Sequence, residues 1–362
     1  MKIYIQQSDL NKGISVVKRA VSTKPIMPIL GNILLVAEMG KLKLTATNLE
    51  ITETLSLNVR IESPGQITLP AGIFSEIVAN LPNDSICLEQ IDMSVSLKCG
   101  KHIHKIKGVA AEDFPQAQKL EDDNVIKISS AILDRALKYV SFAKGADNAR
   151  PILSGVYMNV GEKLTLVCAD GNRLAIYKTN LPTQAPKVAI TLPAKAISEI
   201  SSYITAEETI NICIGTSQAL FKLKDFDLIS QLIQGIYPNY DSITPTTFIT
   251  KAVTNTVELL KIIKLASIYS SIHIDLGITQ NTIRVSSNSE DGDSSGEVDA
   301  VVTGENMEVS INPGYLTDVL KVITEEKVSL EFVAPDRPVV IRPVGFEGYT
   351  YCLAPVYIPR PI

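Results

Sequence analysis

The chain has no tryptophan, three histidines and five cysteines among its 362 residues. Each shortage removes a class of function. Aromatic residues make up only 6% and no RNP-like pattern occurs, so recognition of nucleic acid by base stacking has no support. Cys87, Cys99, Cys168, Cys213 and Cys352 are scattered without a C-x-x-C pair, which fits reduced thiols and not a disulfide frame or zinc site. His102 and His104 share one strand face, but no Cys or acid at ligand spacing joins them, so a surface or interface role is preferred. The motifs G-x-x-x-x-G-K-[ST] and H-E-x-x-H are absent. DGDSSG at 291–296 copies the start of a calcium loop, yet Val302 stands where the closing bidentate Glu belongs. No catalytic residue, metal or cofactor is expected. No run approaches the ~18–20 apolar residues of a membrane span, and the opening MKIYIQQSDLNKG has no apolar signal core. The expectation is a soluble cytoplasmic protein with no membrane partner.

What is present is an ordinary globular composition, 45% hydrophobic and 20% charged, at a length that suggests two or three domains. It carries an internal repeat. LPAGIFSEI (69–77) matches LPAKAISEI (192–200) and, more loosely, INPGYLTDV (311–319). DLNKGISVVKRAV (9–21), AILDRALKYVSFA (131–143) and TVELLKIIKLASI (256–268) form a second set. GKLKLTATNLEI (40–51), EKLTLVCADGNRLAIY (162–177) and NTIRVSSNSEDG (281–292) form a third, each an alternating strand followed by a polar turn. All three sets recur at a period of about 120 residues, which points to three tandem domains. DFPQ (113–116) and IYPNY (236–240) end the first two. The domains expected are 1–120, 121–244 and 245–362. Each reads as helix, strands, helix, strands. Leu10, Ile14, Val17 and Val21 make one helical stripe; Leu133, Ala136, Leu137 and Val140 make a second; Leu259, Ile263 and Ala266 make a third. The later helices fall at 71–81, 194–204 and 313–323, the first with Ile73, Ile77 and Leu81 at helical spacing.

The net charge is −5, which by itself argues mildly against tight binding to nucleic acid. The distribution says more. Residues 9–24 hold Lys12, Lys18, Arg19 and Lys24 against Asp9. Residues 131–144 hold Arg135, Lys138 and Lys144 against Asp134, and residues 251–268 hold Lys251, Lys261 and Lys264 against Glu258. Cations thus gather at the leading helix of every repeat while the rest is more acidic than the whole. Such a helix face is either simply solvated or part of a shared cationic surface facing a polyanion.

ADGNRL at 169–174 combines an acid, a glycine and an arginine. On the residues alone it is a hydrolytic site using Asp170 and Arg173, a ligand wall, or a hairpin turn. Asp-Gly favours the turn because Gly supplies positive φ, and no base or metal partner accompanies Asp170.

KPIMPILGNILL (24–35), LTATNLEI (44–51), EDFP (112–115), ADGNRLA (169–175), LPAKAISEI (192–200), IYPNY (236–240) and VVIRPV (339–344), in this order over the whole length, resemble the bacterial DNA polymerase III β-subunit family, the sliding clamps. The resemblance implies an α+β fold of three DNA-clamp domains, with helices lining a hole and antiparallel sheets outside. It implies a head-to-tail homodimeric ring encircling double-stranded DNA without sequence preference. It also implies a pocket between the second and third domains that docks peptides of the DNA polymerase III α subunit, the clamp loader, and other polymerases and repair proteins. Carried over residue by residue, that pocket takes Leu153, Gly171, Asn172, Arg173, Leu174, Pro238, Ser242, Ile243, Pro338, Cys352, Ala354, Pro355 and Val356. Lys24 and Lys195 match DNA-contact positions and Arg150 lies near another, joining the helix-borne Lys12, Lys18, Arg19, Arg135, Lys138, Lys261 and Lys264. The ring seam would set Ile73, Ile77, Leu81 and Ile106 against Leu265 and Ile268 of the other copy. Five positions depart from the family pattern: Gly72 replaces a basic residue, Ala169 a Thr, Asn172 a His, Ser242 an Arg and Ala354 a Met. The tail YIPRPI runs past the family's usual end. A peptide-binding repeat adaptor that does not encircle DNA is the alternative.

Overall fold

Six α-helices and twenty-five strands, eighteen of which pair with a strand next to them in the chain, make up the secondary structure of the described residues. The structure, a computed structural model, describes residues 1–22, 24–116, 120, 125–145, 150–181, 186–204 and 208–357. They pack as two units. One comprises Met1–Ser130 and Ser202–Leu232; the other comprises Ala131–Ser201 and the described residues from Ile233 onward.

The first unit holds α1 (Gln7–Val17) and α2 (Ala71–Asn80), a five-stranded sheet and an eight-stranded sheet, all antiparallel. Leu10, Ile14 and Val17 are fully buried, as the helical stripe predicts. Gly13 is what lets α1 sit so low on its sheet: a Cβ there would lie 2.7 Å from a Leu57 methyl and 3.0 Å from one of Leu44. In α2 the stripe is displaced from the expected face. Leu69 and Ala71 are both buried, which sets the helix phase so that Phe74 and Val78 follow inward. Ile73 is left 57% exposed.

The second unit holds α3 (Ser130–Val140, from Ala131), α4 (Ala194–Tyr203, up to Ser201), α5 (Thr256–Ala266) and α6 (Pro313–Val322). Leu133, Ala136, Leu137, Val140, Leu259, Ile263 and Ala266 are buried, matching both expected stripes. One twelve-stranded antiparallel sheet runs from Val188–Pro193 at one edge to Met307–Ile311 at the other. The repeated LPA segments are strand-to-helix junctions. Where the third copy has Asn312 in place of Pro, its side chain caps α6 by accepting from the Tyr315 N–H at 3.1 Å.

The five-stranded sheet stays within the first repeat, but the eight- and twelve-stranded sheets each span two repeats. Strand Phe226–Gln231 pairs with Ile51–Asn58, placing Ile229 opposite Thr52. Strand Tyr349–Leu353 pairs with Arg173–Asn180, placing Cys352 opposite Leu174. The middle repeat therefore contributes strands to both units, and the packing limits fall elsewhere than the sequence boundaries near 120 and 244.

The polar turns of the first two members of the third repeat set share one construction. Asn48 Oδ1 accepts from the N–H groups of Glu50 (3.0 Å) and Ile51 (2.8 Å). Asp170 Oδ1 accepts from those of Asn172 (2.9 Å) and Arg173 (3.0 Å). The next residue is left-handed in both, Gly171 at φ 95° and Leu49 at φ 75°. A leucine there costs about 1–2 kcal/mol of steric strain that glycine avoids, less glycine's own entropy. Leu49→Gly is expected to stabilise the protein by about 0.5–1 kcal/mol, read as a rise in the urea midpoint at unchanged m-value.

Candidate functional site

The ADGNRL turn joins strands Lys163–Ala169 and Arg173–Asn180. Asp170 is occupied twice over: Oδ1 by the turn's own N–H groups and Oδ2 by Arg173 Nε at 2.9 Å. Arg173 reaches further. Nη1 donates to Asp318 Oδ2 on α6 at 2.7 Å, Nη2 donates to the Phe142 carbonyl at 2.7 Å, and the guanidinium lies 4.3 Å from the Tyr315 ring centre. Its side chain is only 9% exposed. Burial opposes its charge, but the bonds to Asp318 and Asp170 outweigh that and hold it firmly protonated. Arg173 thus supports the turn from behind and ties it to α6. Phe142, Tyr315 and Asp318 were missed in the sequence because they lie far from residue 173 along the chain.

In front of the turn, Val167, Leu174, Ile176, Val340 and Cys352 form a buried cluster. Tyr157, Ala169, Tyr237, Tyr240 and Phe248 pack on it half-buried, and Tyr157 stacks on Tyr237 at 4.8 Å. The IYPNY segment therefore covers the cluster with aromatic rings. Ser242 and Ile243 continue it in a turn, with Ser242 Oγ donating to the Asn239 carbonyl at 2.9 Å and Ile243 N–H to that of Tyr240 at 3.2 Å. Cys352 Sγ contacts Thr244 Oγ1 at 3.8 Å. The Ala354 N–H donates to the Asn172 carbonyl at 2.8 Å, which draws the chain end across the turn. Leu153 is buried, and its carbonyl accepts from Gly145 N–H at 3.0 Å, beside Asp170. Pro338, Ala354, Pro355 and Val356 line a groove of about 760 Å³ with Asp336 and Arg284. Leu174 and Cys352 do not line that groove and are buried in the cluster, whereas Asn172, Pro238, Ser242 and Ile243 are exposed and Gly171 stands open at the turn. The tail beyond Tyr357 lies outside the described residues.

The expected DNA-facing cations divide by environment. Lys12, Lys24, Arg150, Lys195, Lys261 and Lys264 are exposed. Lys18 Nζ donates to Ser75 Oγ at 2.7 Å and Arg19 Nη1 to Ser202 Oγ at 2.8 Å. Lys138 pairs with Asp134 one turn away at 2.6 Å, a contact worth little at a surface. Arg135 is drawn against its own unit, bonded to Glu325 at 3.0 Å with its guanidinium 4.5 Å from the Phe346 ring centre. Of the seam residues, Ile73, Leu265 and Ile268 are 57%, 59% and 75% exposed, and Ile77 is half-buried. Leu81 and Ile106 are buried in the first unit, because Leu81 closes α2 against the core and alternate residues of strand His102–Lys107 point inward. Among the described residues no group of three or more His, Cys, Asp or Glu is placed to hold a metal ion. Among the described residues no helix is long and apolar enough to cross a membrane.

Three family models match in succession: the DNA polymerase III β subunit N-terminal domain over residues 1–118, its central domain over 127–239 and its C-terminal domain over 241–357. The β sliding clamp of Synechococcus elongatus is 30% identical, with 99% of this chain and 100% of the relative aligned. That of Bacillus subtilis is also 30% identical, over 98% and 99%. Among solved structures, the Bacillus subtilis DNA polymerase sliding clamp superposes with a TM-score of 0.96 at 29% identity, covering 99% of this chain and 100% of that one. The Pseudomonas aeruginosa DNA polymerase III β subunit superposes at 0.93 and 26%, with the same coverage. The fold is the three-domain clamp fold of mixed helices and antiparallel sheets. The chain belongs to the bacterial DNA polymerase III β-subunit family, the β sliding clamps.

Two outcomes follow from the site's packing. Arg173→Met strands Asp170 and opens the tie to α6, so it is expected to destabilise the protein by about 3 kcal/mol. Asp318→Asn, at a carboxylate 39% exposed, is expected to cost about 1 kcal/mol or less; urea unfolding of both variants measures the difference. Burial pushes the Cys168 thiol from its ordinary 9.0 up to about 12. Because the folded value is the raised one, this stabilisation is complete below pH 9 and is lost as pH climbs from 9 toward 12. Calorimetry is expected to show Tm falling across that window, less steeply in Cys168→Ala.

Proposed function

We propose that two copies of this chain close into a ring around duplex DNA and act there as a processivity factor with no catalytic step of their own. The observation that carries the reading is the placement of exposed cations, Lys12, Lys24, Lys195, Lys261 and Lys264, on or beside a helix of each of the three repeats in a chain of net charge −5. A closed ring holds DNA by topology, so it needs only weak, sequence-blind attraction to phosphate, and a strong grip would oppose sliding. The seam pairs Ile73 and Ile77 of one copy with Leu265 and Ile268 of the other, a heterologous contact that closes after two copies. Leu81 and Ile106 support it from within. The three-domain boundaries near 120 and 244 and action in the cytoplasm belong to the same reading.

The surface around Leu174 and Cys352, with Leu153, Gly171, Asn172, Arg173, Pro238, Ser242, Ile243 and the segments at Pro338 and from Ala354 to Val356, is the docking site for partner peptides. Its aromatic and aliphatic surroundings suit apolar anchors. The partners are the DNA polymerase III α subunit, the clamp loader, and other polymerases and repair proteins with such a motif. Ala354 and Ser242 make this chain's pocket smaller and less cationic than the family pattern.

The test joins mass and topology. Light scattering is expected to give a dimer near twice the chain's 39.3 kDa. Clamp loaded onto nicked circular DNA is expected to stay bound and to run off after linearisation, with loading reduced by combined Lys24→Glu and Lys195→Glu. A monomer at micromolar concentration, or equal loading after charge reversal, overturns the ring and leaves the peptide-binding adaptor.

A further inference from the structure

The cross-repeat strand pairing at Leu174 occurs twice. In the first unit Thr52 faces Ile229 as Leu174 faces Cys352 in the second. The Gln231 N–H donates to the Glu50 carbonyl at 2.8 Å, just as the Ala354 N–H donates to that of Asn172 at 2.8 Å. Pro115 of DFPQ takes the place of Pro238 of IYPNY, and Gln218, paired with Gln231, takes that of Pro338. These pieces enclose a second groove of about 260 Å³, lined by Thr52, Glu50, Pro115, Gln218, Ile229 and Gln231 among others.

Its chemistry is inverted. Where the second unit has the apolar Val167, Leu174 and Ile176, the first has Thr45, Thr52 and Thr54. Their hydroxyls are already engaged, Thr45 with Thr54 at 3.0 Å and Thr47 with Thr52 at 2.8 Å. Gln218 Oε1 is buried and receives no hydrogen bond from any described residue. A buried acceptor without a donor is costly, so this one favours an occupant that brings an N–H. Among the described residues that line the groove Glu50 is the one charged, and it is exposed at the turn. A deep neutral acceptor and a carboxylate at the rim suit a planar, multi-donor cation better than a point charge.

We propose that this groove binds an arginine side chain presented by an extended segment of a partner protein, a second docking point beside the apolar one. It rests on the reading of the surface around Leu174 and Cys352 as a peptide site, since the shared architecture is what suggests peptide. The probe is Nα-acetyl-arginine N-methylamide, with its citrulline and leucine analogues, followed by saturation-transfer NMR on the full chain. The arginine probe is expected to bind saturably and the two analogues not to. Gln218→Leu is expected to weaken binding by about tenfold or more, and the exposed Glu50→Gln gives a second readout that does not depend on a buried change. Acetyl-leucyl-phenylalanine amide reports the apolar groove separately, and Ala354→Arg is expected to remove its signal alone. Arginine binding undiminished in both Gln218→Leu and Glu50→Gln, or matched by the citrulline analogue, overturns the second site. Failure of the apolar probe with arginine binding intact counts against the first groove alone.

Discussion

The last strand of one repeat hydrogen-bonds to the strand after the polar turn of the repeat before it, and the rest of the molecule depends on this pairing. It sets Ile229 against Thr52 and Cys352 against Leu174. Without it each repeat would end in an open sheet edge, a template for unwanted association. With it, two long antiparallel sheets form, and at each junction a turn, a proline-bearing segment and a chain end are brought within hydrogen-bonding reach. The grooves are by-products of the same pairing that satisfies the backbone.

Arg173 shows how such a junction is held. A hairpin turn needs only Asp170 and Gly171, and the first repeat manages with Asn48 and Leu49. The second repeat adds a buried guanidinium that bonds Asp170, Asp318 and the Phe142 carbonyl together. The turn's outer side, Gly171 and Asn172, is thereby positioned from behind while remaining open in front. This division between a fixed interior and an exposed edge suits a surface that must accept different peptides in one geometry.

Charge follows a similar economy. Lys138 and Arg135 carry partners within their own unit yet stay exposed, as do Lys24, Lys195, Lys261 and Lys264. The helix faces beneath them are apolar and buried in all three repeats, so cations sit on the side that packing does not use. An acidic chain can then present weak positive potential where duplex DNA would pass, with the surplus of acids placed elsewhere.

Much of this was legible in the linear chain. Period-two and helical spacing located the helices, their buried stripes and the repeat itself, because local backbone geometry dictates which residues share a face. The Asp-Gly turn was readable for the same reason, since its bonds close within four residues. Phase and partnership were not. That α2 turns Phe74 and not Ile73 inward depends on how Leu69 and Ala71 enter the core. That Arg173 meets Asp318 and Tyr315, and that threonines at one junction replace the aliphatic cluster of the other, depends on strands far apart in the chain being laid side by side. Sequence by itself determined the family, the repeat and the elements. The tertiary structure alone decided which side chains those elements bury together, because burial is a property of contacts between distant segments, which no local pattern contains.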